Sequence, residues 1–242
     1  MKTVADLLSR DRRSERVAAV GATGRTYDYH WLCTSAWKAG NYLRHTGVRR
    51  GVTVGVVGDG PFALLALFGT TLLEGTVWVD PPTDLEDENV RTVVAPTDEV
   101  TAFDLEPGAQ RVGYGSQPAA PGIHHFERGL WSENPSFPPT SFDPSANLLT
   151  DGDRTLTHDD ALGAARRIID EWDLPGEPAV GVSSPLSDPR TVVAGIVVPL
   201  VAGGRFVLEP AVADEPLDVV VTDGTVDSTD VRSIPLAAVS GF

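Results

Sequence analysis

Lysine is almost missing from this chain. Lys2 and Lys38 are the two lysines among 19 basic residues, set against 34 carboxylates for a formal net charge of −15. No basic stripe is available to neutralise phosphates, since Arg10-Asp11-Arg12-Arg13 and Arg49-Arg50 are short and interrupted. That argues against nucleic acid as a partner. The single cysteine, Cys33, excludes an internal disulfide and a cysteine-cluster metal site. No apolar run reaches the length of a membrane span, and the N-terminus has no signal-peptide core. These absences point to a soluble, cytoplasmic chain without a membrane partner.

What is present is an ordinary globular composition. The 242 residues are 41% hydrophobic and 22% charged, enough to bury a sizeable core in one α/β domain or two lobes. Excess carboxylate with scarce lysine is what adaptation to concentrated salt produces, because carboxylates hold hydration while salt screens their repulsion. A GC-rich genome, which also replaces Lys by Arg, is the alternative. The salt reading predicts a melting temperature that rises with KCl into the molar range. A flat or falling melting curve leaves only the genomic bias.

The chain also carries an internal similarity. Gly24-Arg25-Thr26 and Asp153-Arg154-Thr155 each open a helix-like run, followed by Val54-Gly55-Val56 in one copy and Val180-Gly181-Val182 in the other. Each copy ends in a glycine and a short apolar strand, "GTVWVDP" or "GRFVLEP". The period exceeds solenoid lengths and implies two similar lobes. Ala161, Leu162, Ala165, Ile168, Ile169 and Trp172 recur at helical spacing, with Thr157 as N-cap and Asp160 three residues on. Asp28 holds the equivalent cap position. Short β-branched strands alternating with helices predict βαβ units in mainly parallel sheets. The expected division is a first α/β lobe over 1–130, a Pro-, Ser- and Gly-rich connecting stretch over 115–143, and a second α/β lobe over 144–242. Residues 24–81 should superpose on 153–210 element for element.

The stretch from "GRTYDYHWL" to "GTVWVDPP" resembles the opening of an AMP-dependent acyl-CoA synthetase, of the adenylate-forming ligase superfamily. Gly24, Thr26, Tyr27, Gly47, Val48, Gly51 and Gly75 occupy its pattern, with Val52 in place of the usual Asp. The resemblance implies the fold of that superfamily's N-terminal domain. It also implies an ATP phosphate loop rich in Gly, Ser, Thr and Lys between Asn147 and His158. Only Thr150 and Gly152 of such a loop remain, flanked by Thr157 and His158, and carboxylates Asp151 and Asp153 stand beside them. Two anions repel a polyphosphate rather than cradle it. The family's adenine and ribose segments and its catalytic lysine have no counterpart before Phe242. The expectation is a degenerate, non-catalytic protein with no catalytic residue and no cofactor, acting on a protein partner or as a homo-oligomer. The alternative is a truncated acyl-, CoA- or nucleotide-binding protein or ligase with a residual pocket between the lobes.

Other candidates are weaker. Gly58, Gly60 and Asp80 satisfy a loose Gly-x-Gly-x-x-Ala dinucleotide fingerprint with an acid after the next strand, although Pro61 and the missing third glycine oppose it. His124-His125 lacks the further ligands a metal needs, so no metal site is expected. Cys33 has no identifiable base and reads as a packed residue.

Overall fold

A computed structural model describes residues 1–86, 88–135, 141–209, 216–224 and 231–239. Residue 87 of the acidic "DLEDENV" run, 136–140 of the connecting stretch and 210–215, 225–230 and 240–242 of the tail lie outside it.

Both similar stretches run through elements in one order. The first gives β1 (Val17–Val20), β2 (Thr26–Asp28), α1 (Tyr29–His45), β3 (Thr53–Val56), α2 (Pro61–Thr71) and β4 (Thr76–Val79). The chain continues through β5 (Asp84–Leu85), β6 (Val90–Pro96), β7 (Asp104–Leu105), β8 (Gln110–Tyr114), β9 (Ile123–His125) and α3 (Phe126–Ser132). The second stretch gives β10 (Asn147–Thr150), β11 (Thr155–Thr157), α4 (His158–Glu171) and β12 (Ala179–Val182). Helix α5 (Pro189–Val192), a π turn (Val193–Val197) and α6 (Val198–Ala202) follow as one helical run. The last strands are β13 (Arg205–Leu208), β14 (Val219–Thr222) and β15 (Arg232–Pro235).

Local chemistry explains the boundaries. The Asp28 carboxylate accepts the Trp31 N–H at 2.6 Å and starts α1. Thr157 and Asp160 form a reciprocal capping box on α4, with the Asp160 N–H reaching Thr157 Oγ1 at 3.1 Å and the Thr157 N–H reaching Asp160 Oδ2 at 2.9 Å. Helix α4 ends at Glu171, ahead of Pro175-Gly176, because Asp173 already takes a left-handed φ of 44°. The π turn lies just before Pro199, which has no N–H to bond back to Gly195.

Two mainly parallel sheets result. A six-stranded sheet runs β15-β14-β12-β13-β1-β2, and a seven-stranded sheet runs β11-β10-β4-β3-β6-β8-β9. Strands β5 and β7 pair separately. Among the described residues only the hairpins β1–β2 and β10–β11 are antiparallel. The sheets do not divide along the chain at 1–130 and 144–242. Hairpin β1–β2 lies against β13, and hairpin β10–β11 against β4, so each half completes the other's sheet. A two-stranded hairpin is marginal alone, and an open parallel edge needs covering; the exchange answers both needs. The connecting stretch also holds more structure than its composition suggests, since β9 extends the large sheet while Phe126 and Leu130 of α3 are fully buried.

The main core runs through both halves. Helix α2 is buried along Ala63–Thr71 and crosses α1 so closely that a Cβ on Gly69 would lie 2.8 Å from the Gly40 nitrogen. A smaller cluster of Trp78, Leu85, Val90, Val93, Ala95, Val100 and Phe103 packs separately. No helix among the described residues is long and apolar enough to cross a membrane.

Candidate functional site

The segment between β10 and β11 is a four-residue turn, Asp151 to Arg154, that bonds to itself. Its Asp151 carboxylate accepts the N–H groups of Asp153 at 3.1 Å and Arg154 at 2.7 Å. The Arg154 guanidinium closes on the other oxygen at 2.9 and 3.2 Å. Thr150 Oγ1 accepts the Gly152 N–H at 3.1 Å and donates to the Arg154 carbonyl at 2.8 Å. Every N–H from Gly152 to Arg154 therefore already serves an oxygen of the protein. Burial pushes the Asp151 carboxyl up, but the Arg154 and Asp153 hydrogen bonds outweigh it and hold the carboxyl below its usual range.

Two further features close the site. Gly152 sits at φ +95°, and a Cβ there would lie 2.7 Å from the Trp78 indole, so the tryptophan of β4 packs against the turn. Asp188, the N-cap of α5, holds Arg190 at 2.6 Å. Burial pushes the Asp188 carboxyl up, but its hydrogen bonds and ion pair with Arg190 outweigh that and hold it below its usual range, with a smaller contribution from Arg154. The same pairing raises the Arg190 guanidinium, with a smaller contribution from Asp151.

The Gly58–Gly60 turn follows the same logic. Gly58 donates its N–H to Asp80 Oδ1 at 2.8 Å, so the acid offered for a ribose caps the loop instead. A Cβ on Gly58 would meet the Tyr114 hydroxyl at 2.6 Å, and that hydroxyl donates to the Val57 carbonyl at 2.7 Å. The side of Gly58 that a pyrophosphate would approach is filled by a tyrosine.

No protein-family profile matches the sequence, and no curated protein matches it. Solved structures do. The anthranilate CoA ligase AuaEII in complex with anthranoyl-AMP superposes with a TM-score of 0.76 at 15% identity, covering 91% of this chain and 49% of that one. ATP-bound MatB from Rhodopseudomonas palustris gives 0.71 at 15% identity over 91% and 49%. The N-terminal domain of FACL13 from Mycobacterium tuberculosis gives 0.74 at 15% identity over 92% and 63%. The chain has the fold of a CoA ligase's N-terminal domain. It spans about half the length of the full ligases it matches.

Within this ligase-like fold the residues singled out in the sequence separate. Thr150 and Gly152 meet in the closed turn, while Thr157 is spent on its capping box. His158 turns into the core. Its ring is fully buried, Nδ1 accepts the Val4 N–H at 3.2 Å, and Nε2 has no hydrogen-bond partner among the described residues. An accepting Nδ1 places the proton on Nε2. Burial lowers the imidazole pKa, against Glu74, Asp6 and Asp143, which raise it. A lowered folded pKa contributes stability that is present above the ordinary value of ~6.5 and lost as pH falls through the folded value. Amide exchange over Val4–Leu8 should therefore accelerate on acidification from neutral pH, after correction for intrinsic rates. In His158→Asn, which keeps an acceptor but does not titrate, that dependence should vanish.

Cys33 is fully buried, and desolvation pushes its thiol up to about 11, which suits packing and not nucleophilic attack. His124 approaches Gln110 Oε1 at 3.0 Å and His125 approaches Glu127 at 3.3 Å, and no cluster able to hold a metal exists among the described residues. Sequence reasoning missed Trp78, Arg154, Asp188 and Tyr114. Only Arg154 carried a signal, three residues after an acid in "DGDR".

Proposed function

We propose that this chain is a non-catalytic, ligase-like scaffold that works by binding another protein. One observation carries the reading: the Asp151 carboxylate occupies the Asp153 and Arg154 N–H groups and the Arg154 guanidinium, donors that a phosphate would need. AuaEII is solved with anthranoyl-AMP and MatB with ATP; here the turn that the sequence resemblance sets in the place of a phosphate loop is closed by its own anion and by Trp78. The pocket alternative is opposed only at the apolar cavity beside β1 and α1; an open cleft of about 560 Å³ lies elsewhere, between Tyr42, Gln117, His124, His125 and Arg128. The apolar cavity between Ala19, Tyr27, Trp31, Leu64 and Phe206 measures about 10 Å³, no more than one water needs. Met1, Val17 and Trp131 are the exposed large hydrophobic residues among those described, so a partner would meet a polar, acidic surface and be basic in character.

Removing the internal anion tests the reading. Asp151→Gly should cost about 1–2 kcal/mol through the lost turn hydrogen bonds. It should also create millimolar affinity for sulfate or phosphate at the freed donors, measured by calorimetry. Asp151→Asn keeps a turn acceptor and should gain none. If the unsubstituted chain binds ATP at this turn, the scaffold reading fails.

A further inference from the structure

Arg10, Arg12, Arg13 and Arg16 fall in one short stretch of a chain whose net charge is −15. The fold wraps that stretch around the C-terminal end of α6, leaving a notch of about 270 Å³ lined by Arg12, Arg13, Arg16, Ser14, Asp11 and Tyr29. The guanidiniums are already positioned. Arg12 and Arg16 lie over the Tyr29 ring at 5.6 and 5.9 Å, and Arg13 lies over Trp37 at 5.6 Å. Arg12 donates to the Leu200 carbonyl and Arg16 to the Gly203 carbonyl, while Arg13 Nε reaches the Arg10 carbonyl at 3.3 Å. The Tyr29 hydroxyl is fixed in turn by the Gly204 carbonyl at 2.6 Å.

A guanidinium has five N–H donors in a rigid fork, so one or two such contacts set its plane and leave other donors free. Asp11 on the wall, Glu15 in the same stretch and Glu177, 3.0 Å from Arg16, are fewer than the four guanidiniums of Arg10, Arg12, Arg13 and Arg16. The helix-end carbonyls account for part of the charge. The remainder is a preorganised, positive notch on an otherwise acidic protein. We propose that it binds a phosphate-bearing anion. Forked donors match phosphate oxygens in pairs, and donors held before binding lose little entropy on it. The volume lies below the ~300–1,000 Å³ that encloses a whole drug-sized ligand, so one or two phosphate groups enter and the rest of any ester stays outside.

Calorimetry of the intact chain with pyrophosphate, glycerol phosphate and citrate tests this. Both phosphates should bind, citrate at least tenfold more weakly. Tighter pyrophosphate marks a free diphosphate as the natural occupant, and tighter glycerol phosphate marks an ester. Arg13→Gln spares the Leu200 and Gly203 contacts and should weaken binding at least tenfold. Arg49→Gln makes the same charge change beyond the far end of α1, about 25 Å away along a helix of that length, and should stay within twofold. Amide shifts confined to Ser14, Arg16 and Gly203 would place the anion in the unsubstituted protein, whatever the variants do to folding. No phosphate binding, citrate binding as tight as phosphate, or equal weakening in both variants would overturn the proposal.

Discussion

ATP–pyrophosphate exchange by this chain, with any carboxylic acid, should fall at least about 10⁴-fold below that of a complete ligase. Charge on a transferring phosphoryl group is stabilised by preorganised donors, and losing one such donor costs about 10²–10³ in rate. The turn at Asp151–Arg154 offers none, because its four N–H groups and its guanidinium already serve oxygens of Thr150, Asp151 and Arg154. Trp78 fills the other side of Gly152. Inserting a Gly/Ser/Thr/Lys loop between Thr150 and Asp153 should not restore exchange, because a loop alone supplies neither the ribose contacts nor the catalytic lysine that the resemblance implies for adenylation. The check is isotope exchange at millimolar Mg²⁺ beside calorimetric ATP binding. Measurable exchange by the unmodified chain would turn the reading from scaffold to enzyme.

Gly204→Ala should destabilise the protein by about 4 kcal/mol or more, while Gly75→Ala at the matching position of the other half should cost only about 1–2 kcal/mol. Both glycines precede the strand that follows the second helical segment of their half. A Cβ on Gly204 would stand 2.0 Å from the Pro178 carbonyl oxygen and 2.5 Å from its nitrogen, atoms fixed by the backbone. On Gly75 the nearest atom is a Thr70 methyl at 2.8 Å, a side-chain end that can yield. Denaturant unfolding of the two variants gives the comparison directly. Similar losses at both sites would show that the Glu177–Pro178 backbone gives way more easily than its contacts imply.

The site was only half legible in the sequence. That carboxylates, and not a run of Gly, Ser, Thr and Lys, fill the turn after β10 was visible in Asp151 and Asp153. What the carboxylate does was not visible, because whether an acid repels a ligand or replaces it depends on a few ångströms of turn geometry. Trp78 and Tyr114 gave no signal, since aromatic residues in strands read as core until the backbone brings a glycine under them. The His158 ring likewise depends on Val4, more than 150 residues away in the chain.

The sequence by itself determined the elements of this protein. Alternating apolar runs, the Asp28 and Thr157 caps and the β-branched triplets Val54-Gly55-Val56 and Val180-Gly181-Val182 are local signals, set by neighbours within one helical turn or one strand. They predicted parallel βαβ units correctly. Only the tertiary structure decided which strands pair. Hairpin β1–β2 reaches β13 across more than 180 residues and β10–β11 returns to β4, and no local pattern distinguishes that exchange from two separate lobes. Pairing partners are chosen by which open sheet edge lies within reach after the helices have packed, and that is a property of the whole core.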